Sequence, residues 1–241
     1  MRIIANESKI ERRAKIGEIA PFAGLIVLVL ATVLIFARPE WMWGTLALVW
    51  VGLLISLTGG YLGDRYVGAQ AHHKRVPESL KGFDDDFVLL MYSASVPFVF
   101  VEPGGINVVT VKSQAGEVRY EDERWRHNQK LGWLRRFAGQ ESLGRPDKLA
   151  RAEVEVLEGT LNDHLADFDD VAVQDIPIRP VVVFTHPDVQ LQAEEAPVPA
   201  LRAAEFKRWL RRHPLTPPLS DKVHRALAEA LGYAQTEHVE S

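Results

Sequence analysis

The chain of 241 residues contains no cysteine. This absence excludes disulfide bonds, thiolate metal sites and cysteine nucleophiles, although it does not identify the cellular compartment. The common signatures of nucleotide binding and hydrolysis are also missing: there is no Walker motif, Gly-x-Gly-x-x-Gly, His-Glu-x-x-His or Gly-x-Ser-x-Gly. Short motifs therefore point to no familiar enzyme class.

Two stretches near the N-terminus lack charged residues. One covers residues 19–37 and the other residues 41–63, and only Arg38, Pro39 and Glu40 separate them. At 1.5 Å per residue, either stretch as a helix could cross a hydrocarbon layer of about 30 Å. The sequence predicts a transmembrane helical hairpin over residues 19–63. The alternative is a pair of buried helices in a soluble protein, which would usually keep charges on one face.

Basic residues flank this hairpin unevenly. They are Arg2, Lys9, Arg12, Arg13 and Lys15 before it, and Arg65, Lys74, Arg75 and Lys81 after it. The connecting loop contains only Arg38. Because Lys and Arg are enriched in cytoplasmic flanks, both termini are predicted to be cytoplasmic. Residues 1–18 would then be a cytoplasmic basic tail and residues 64–80 a juxtamembrane helix, with the lipid bilayer as the first partner.

The remaining chain alternates strand-like and helix-like patterns, which predicts an α/β domain over residues 81–195 with a central mixed sheet. A helix is predicted from Pro146, and a strand buried on both faces at Pro180–Thr185. Residues 196–241 are predicted to form a C-terminal helical extension, in which Ser220 caps the last helix. Residues 64–241 contain 28 Asp and Glu against 22 Lys and Arg, a balance that weakens the case for nucleic-acid binding.

The most informative stretch is a predicted β-hairpin. Two apolar runs, Phe98–Val101 and Ile106–Val111, flank the turn sequence Glu-Pro-Gly-Gly at residues 102–105. The second run ends in Lys112. One interpretation is that the strand leaves the core there and the ammonium reaches water on its long stem. The other is that the lysine has a function.

This stretch resembles the nuclease-related domain, NERD, a relative of the restriction-endonuclease-like fold. The positions that match the family pattern are a turn glycine, the strand lysine, a later glycine and a tryptophan, at Gly105, Lys112, Gly116 and Trp125. The family's two metal-binding acids are absent, because Thr110 stands at the glutamate position and Pro97 at the aspartate position. The resemblance implies a restriction-endonuclease-like fold with a degenerate catalytic motif.

Nucleases of this kind hold Mg²⁺ with carboxylates and use the lysine to activate water. Since a lysine alone cannot hold a metal, the first hypothesis is a non-catalytic, membrane-anchored binding or scaffold module. The second is a divergent metal-dependent nuclease acting on DNA or RNA, the only case that requires Mg²⁺. The third is an accessory structural subunit of a membrane complex, and in the first and third cases a protein partner is expected. Substitute acids for the second hypothesis are Asp84, Asp85, Asp86, Glu102 and Glu117; otherwise the three aspartates are a solvated turn.

One local stretch combines basic and aromatic residues, namely Arg124, Trp125, Arg126, Lys130, Trp133, Arg135 and Arg136. Such residues can bind single-stranded nucleic acid or a partner surface. The alternative is that the tryptophans pack on the sheet and the arginines are solvated. No metal site or cofactor is assigned from the sequence.

Overall fold

The computed structural model describes residues 1–68, 71–128, 142–166, 168 and 171–234, which form two compact units. One is a helical unit built from Glu7–His72. The other is an α/β unit built from Met1–Asn6, His73–His127 and the described residues from Leu143 onward.

The helical unit is an antiparallel hairpin of two long apolar helices. Helix α1 comprises Glu7–Ala37 and α2 comprises Met42–Tyr66, and a single 3₁₀ turn at Pro39–Trp41 joins them. Both are long and apolar enough to cross a membrane, and only 11% of the most apolar window of each is buried. The predicted pair of apolar helices is therefore confirmed, and their low burial differs from that of helices in a soluble core.

Small residues bring the two helices together. In α1 the buried positions Gly17, Gly24 and Ala31 recur every seventh residue, and Gly52 and Gly59 do the same in α2. A Cβ on Gly24 would lie 2.6 Å from the backbone nitrogen of Ser56, so only a hydrogen fits there. A seven-residue repeat keeps one stripe of each helix facing the other helix along its whole length, as in a left-handed helix pair.

The α/β unit contains a mixed six-stranded sheet in the order β1-β2-β3-β4-β7-β9. Its strands are β1 (Arg2–Ala5), β2 (Val88–Met91), β3 (Phe98–Glu102), β4 (Gly105–Lys112), β7 (Ile178–Phe184) and β9 (Ala200–Arg202). Strand β3 runs antiparallel to both of its neighbours, β2 and β4, whereas β1 runs parallel to β2, and β7 and β9 continue parallel to β4. A second sheet, β6-β5-β8, contains β6 (Arg124–Asn128), β5 (Gly116–Glu121) and β8 (Val189–Gln192). The predicted mixed α/β architecture is confirmed.

The described residues also form the helices α3 (His72–Ser79), α4 (Pro146–Leu165), α5 (Ala203–Arg212) and α6 (Asp221–Ala230). One face of the main sheet packs against α4 and α6 through a cluster that includes Val108, Leu157, Leu161 and Leu227. A second cluster joins Ala150 of α4 to Phe184 of β7 and to the smaller sheet. Helix α4 therefore crosses the centre of the sheet at β4 and β7.

The N-terminal segment differs from the sequence expectation. Residues 1–18 were expected to be a tail, yet Arg2–Ala5 pair in parallel with Val88–Met91 and complete one edge of the sheet. Four residues with a single long-range partner carry too little local pattern to predict a strand. A fragment that starts at residue 64 would lack this strand.

The predicted helix over residues 64–80 is interrupted. Helix α2 ends at Tyr66, because Val67 is extended with φ −110° and ψ 145°, and α3 is a separate helix. At the other end of the chain, the expected helical extension also contributes β9 to the main sheet. Its described part belongs to the same compact unit as residues 81–127 and the described residues of 143–195.

Candidate functional site

The predicted β-hairpin is confirmed, with strands β3 and β4 joined by a turn at Pro103 and Gly104. The turn packs too closely against neighbouring backbone for any side chain. A Cβ on Gly104 would lie 1.7 Å from the carbonyl oxygen of Leu215, and one on Gly105 would lie 2.3 Å from that of Pro177. The glycines therefore allow the start of β4 to sit against these segments.

Lys112, the last residue of β4, is buried, with only 3% of its surface exposed. It lies beside Phe184 in the parallel β4–β7 register, and its carbonyl oxygen accepts a hydrogen bond of 2.8 Å from the amide of Thr185. The interpretation that Lys112 leaves the core for water is therefore wrong. Fully buried lysines are rare, because a charged ammonium loses its hydration on burial.

Thr110 connects β4 to α4. Its hydroxyl donates a hydrogen bond to Oε2 of Glu153, whose helix lies across β4 and β7. Because side chains alternate along a strand, Thr110 and Lys112 share one face, with Cα atoms about 7 Å apart. Glu153 is therefore a carboxylate on the lysine's side of the sheet.

Pro97 lies close to this point as well. The antiparallel register pairs Val99 with Val108. Pro97 precedes this pair and Thr110 follows it, so the two positions that hold acids in the resembled family lie toward the same end of the hairpin, although neither provides a carboxylate.

Most of the expected substitute acids are far from Lys112. Glu102 pairs with Gly105 at the opposite end of the hairpin, seven residues or about 23 Å along β4. Asp84, Asp85 and Asp86 are exposed and precede β2, whose first residue Val88 pairs with Val101 at that same far end. Asp85 accepts a hydrogen bond of 3.0 Å from the amino group of Met1. These four acids cannot join Lys112 in one site.

Glu102 instead belongs to a buried polar network. Its Oε1 accepts hydrogen bonds from Asn107 Nδ2 at 2.7 Å and from Arg179 at 3.2 Å. Arg179 also donates to Asn107 Oδ1 at 2.8 Å and packs over the ring of Trp209. Burial lowers the pKa of Arg179, and the charge of Glu102 opposes that shift. The network joins β3, β4, β7 and α5, so Glu102 has a structural role.

Glu117 follows Gly116, the first residue of β5, whose φ of +85° suits glycine. Its carboxylate forms an ion pair with Arg119, two residues along the same strand. The hydrogen bonds and charge of Glu117 raise the pKa of Arg119. Glu117 is therefore engaged within β5.

A second carboxylate of α4 was also absent from the predicted site residues. Asp147, in the first turn of α4, is buried and accepts a hydrogen bond of 2.9 Å from Trp125 Nε1. Glu153 could have been detected by its spacing, because it precedes Leu157 and Leu161 by four and eight residues on the buried stripe of α4. A carboxylate in an apolar stripe indicates a buried polar partner.

The expected basic and aromatic surface is only partly described. Trp125 packs against Tyr120 and Phe184, with ring centroids 5.2 and 6.3 Å away, so its ring is occupied within the fold. Arg124 and Arg126 are exposed, as the alternative interpretation predicted. Lys130, Trp133, Arg135 and Arg136 lie outside the described residues.

The arrangement at the carboxyl ends of β4 and β7 thus contains one buried lysine, one threonine and one nearby glutamate. Among the residues that the structure describes, no three His, Asp or Glu side chains are grouped so that they could hold a metal ion. A hard divalent cation prefers several oxygen ligands, so the donors described here do not make a closed Mg²⁺ site. Comparison with protein-family models, with curated proteins and with solved structures finds no match for this chain.

Proposed function

We propose that this protein is a membrane-anchored binding or scaffold module, built on a catalytically degenerate NERD-like, restriction-endonuclease-like domain. The observation that carries the proposal is the hydrogen bond between Thr110 and Glu153 beside Lys112. A nuclease would need a metal at this end of the hairpin. Glu153 instead accepts a hydrogen bond from Thr110, which stands where the resembled family has a glutamate.

The anchoring part of the proposal rests on the two apolar helices. Their exposed surfaces carry large apolar side chains on several faces, including Phe22, Phe36, Trp43 and Leu54. Exposing such an apolar surface to water costs about 25 cal/mol per Å², and this cost is absent in the hydrocarbon layer of a bilayer. The helices α1 and α2 therefore form the proposed anchor.

The topology follows from chain connectivity and charge. Arg2–Ala5 precede the hairpin and pair with β2, which follows it, and this pairing supports a topology with both ends of the hairpin on one side of the membrane. The Lys and Arg residues that flank the hairpin favour the cytoplasmic side. We infer an integral membrane protein with two spans and both termini in the cytoplasm.

Topology can be tested because the chain has no cysteine. Glu40→Cys, in the loop, and Glu155→Cys, on an exposed position of α4, would each be labelled with a membrane-impermeant maleimide. We expect intact cells to label only Glu40→Cys and permeabilised cells to label both. Labelling of Glu155→Cys alone in intact cells would reverse the topology, and labelling of neither or both would refute the hairpin.

The loss of catalysis is tested with the full chain in non-ionic detergent, since a fragment without β1 lacks a strand of the sheet. Wild type and Lys112→Ala would be incubated with Mg²⁺ or Mn²⁺ on single-stranded DNA, double-stranded DNA and RNA. We expect equal, background cleavage from both proteins and no metal-induced rise in melting temperature. Cleavage that disappears in Lys112→Ala would overturn the proposal.

A second candidate, a divergent metal-dependent nuclease, is favoured by one observation. Glu153 is a carboxylate supplied by a helix to the strand face that carries Lys112, and it was not among the expected substitute acids. If this candidate holds, Glu153→Gln and Lys112→Ala should each abolish cleavage. The matched control is Glu155→Gln, which makes the same chemical change on the exposed side of α4 and should keep full activity.

A further inference from the structure

A cavity of about 540 Å³ opens in the α/β unit, separate from the contact between Thr110 and Glu153. It lies between α3, the residues that follow β7 and the first turn of α5. Its size falls within the usual range of about 300–1,000 Å³ for small-molecule sites. Its position beyond the carboxyl end of parallel strands β4 and β7 is also where open α/β sheets bind ligands.

The charged side chains that line the cavity are mostly basic. They are Arg75 and Glu78 from α3, and Arg202 and Lys207 at the start of α5. Arg75 pairs with Glu78 at 3.2 Å, and Arg202 pairs with Glu205, which raises the pKa of Arg202 through a hydrogen bond and charge. Counting Glu205 as well as Glu78, three cations face two carboxylates, which leaves a net charge of +1 at the cavity, suited to an anion.

The uncharged lining adds hydrogen-bond donors and space. Nδ1 of His186 accepts a hydrogen bond of 3.1 Å from the amide of Asp188, so a neutral ring carries its proton on Nε2 and can donate. Ala203 and Ala204 begin α5, where amide groups lack carbonyl partners within the helix. Their methyl side chains leave the cavity open at this point.

We propose that this cavity binds a phosphate-bearing small molecule, with Arg75, Arg202 and Lys207 around the phosphate. Arginine forks and a lysine ammonium are the side chains that best match phosphate oxygens. The volume accommodates a molecule of about mononucleotide size rather than a bare ion. The phosphate could belong to a soluble ester or to a lipid headgroup, and the two sources can be distinguished experimentally.

The test is isothermal titration of the full chain in non-ionic detergent with two probes, ADP and dioctanoyl phosphatidate. The variants are Arg202→Gln and Lys207→Gln, and Lys207→Arg keeps the charge. The matched control is Arg208→Gln, which removes the same charge from an exposed position on α5 that does not line the cavity. Melting temperatures would show that each variant is folded.

We expect saturable binding of one probe, weakened about tenfold or more by Arg202→Gln and Lys207→Gln and within about twofold of wild type for Arg208→Gln and Lys207→Arg. Binding of ADP identifies a soluble ester as the source, and binding of phosphatidate alone identifies a lipid headgroup. The absence of saturable binding to both probes would overturn the proposal. Equal weakening by Arg208→Gln would also overturn it, because binding would then follow net charge alone. None of these results depends on nuclease activity or on its loss.

Discussion

Thr110 donates a hydrogen bond from its hydroxyl to the carboxylate of Glu153, and this contact joins the central strand β4 to helix α4. Both partners lie on a largely apolar interface, where Val108 and Leu157 pack on one side and Ala150 and Phe184 on the other. The buried hydroxyl of Thr110 needs a hydrogen-bond partner, and the half-buried carboxylate of Glu153 supplies one. The contact gives Thr110 a structural reason independent of catalysis.

Thr110→Val tests the value of this contact. The substitution keeps the shape but leaves the Glu153 oxygen without this donor, so we expect a loss of about 1–3 kcal/mol in the free energy of unfolding. Urea denaturation of the full chain in detergent would measure it. Thr160→Val is the matched control, because its hydroxyl donates an exposed hydrogen bond to the carbonyl oxygen of Val156 in the same helix. Equal effects of the two substitutions would show that the Thr110 contact adds no stability.

Gly24→Ala tests the close packing of the helical hairpin. The new Cβ would lie 2.6 Å from the backbone nitrogen of Ser56, so the helices must separate and we expect a loss of about 1–3 kcal/mol. Thermal unfolding in detergent, followed by tryptophan fluorescence, would detect it. The control is Gly44→Ala, where the nearest neighbour of the new Cβ is a Trp41 ring atom 3.9 Å away. Gly44→Ala should be neutral or slightly stabilising, and a similar loss in both variants would contradict the packing.

Arg179→Met tests the buried network of Glu102, Asn107 and Arg179. The substitution removes the cation but leaves a buried carboxylate, so we expect a loss of about 3–5 kcal/mol in chemical denaturation. Arg179→Lys should recover little, because one ammonium cannot make the three separate bonds of the guanidinium fork.

The control for this network is Arg126→Met, which breaks an exposed ion pair with Asp122. Exposed pairs contribute about 0–1 kcal/mol, so this variant should resemble wild type. A loss of less than about 1 kcal/mol in Arg179→Met as well would show that the network is not a major source of stability.

Because the phenol of Tyr233 is buried, we expect the protein to lose stability at high pH. Burial raises the pKa of Tyr233 from 10.0 to about 12, and the nearby Arg2 guanidinium opposes this shift. The unfolded chain therefore loses the phenolic proton first as pH rises, and stability declines between pH 10 and about 12. A shift of this size corresponds to about 2–3 kcal/mol in total.

The measurement is the difference in unfolding free energy between wild type and Tyr233→Phe across that pH range. Phenylalanine cannot ionise, so we expect the decline to be shallower in the variant. Parallel pH profiles for the two proteins would show that Tyr233 does not titrate differently on folding.

Local sequence patterns were sufficient for elements whose partners are near in the chain or whose surroundings are uniform. The uncharged run at residues 19–37 lies within α1, and all but the first residue of the run at 41–63 lies within α2. The Pro-Gly-Gly turn joins β3 to β4. Ser220 caps α6, and its hydroxyl accepts a hydrogen bond from the amide of Val223. Each of these features depends on hydropathy, turn chemistry or capping within a few residues.

The sequence by itself therefore determined the apolar hairpin, the central strands and the position of Lys112 at the end of β4. Tertiary structure alone decided that Arg2–Ala5 enter the sheet and that Lys112 is buried. It also decided that Glu153, rather than Glu102 or Asp84–Asp86, lies on the face of the sheet that carries Lys112. These outcomes join segments that are 43 to 86 residues apart. Such contacts depend on how a helix crosses a sheet and on strand register, which are set by packing across the whole unit and leave no local periodic signal.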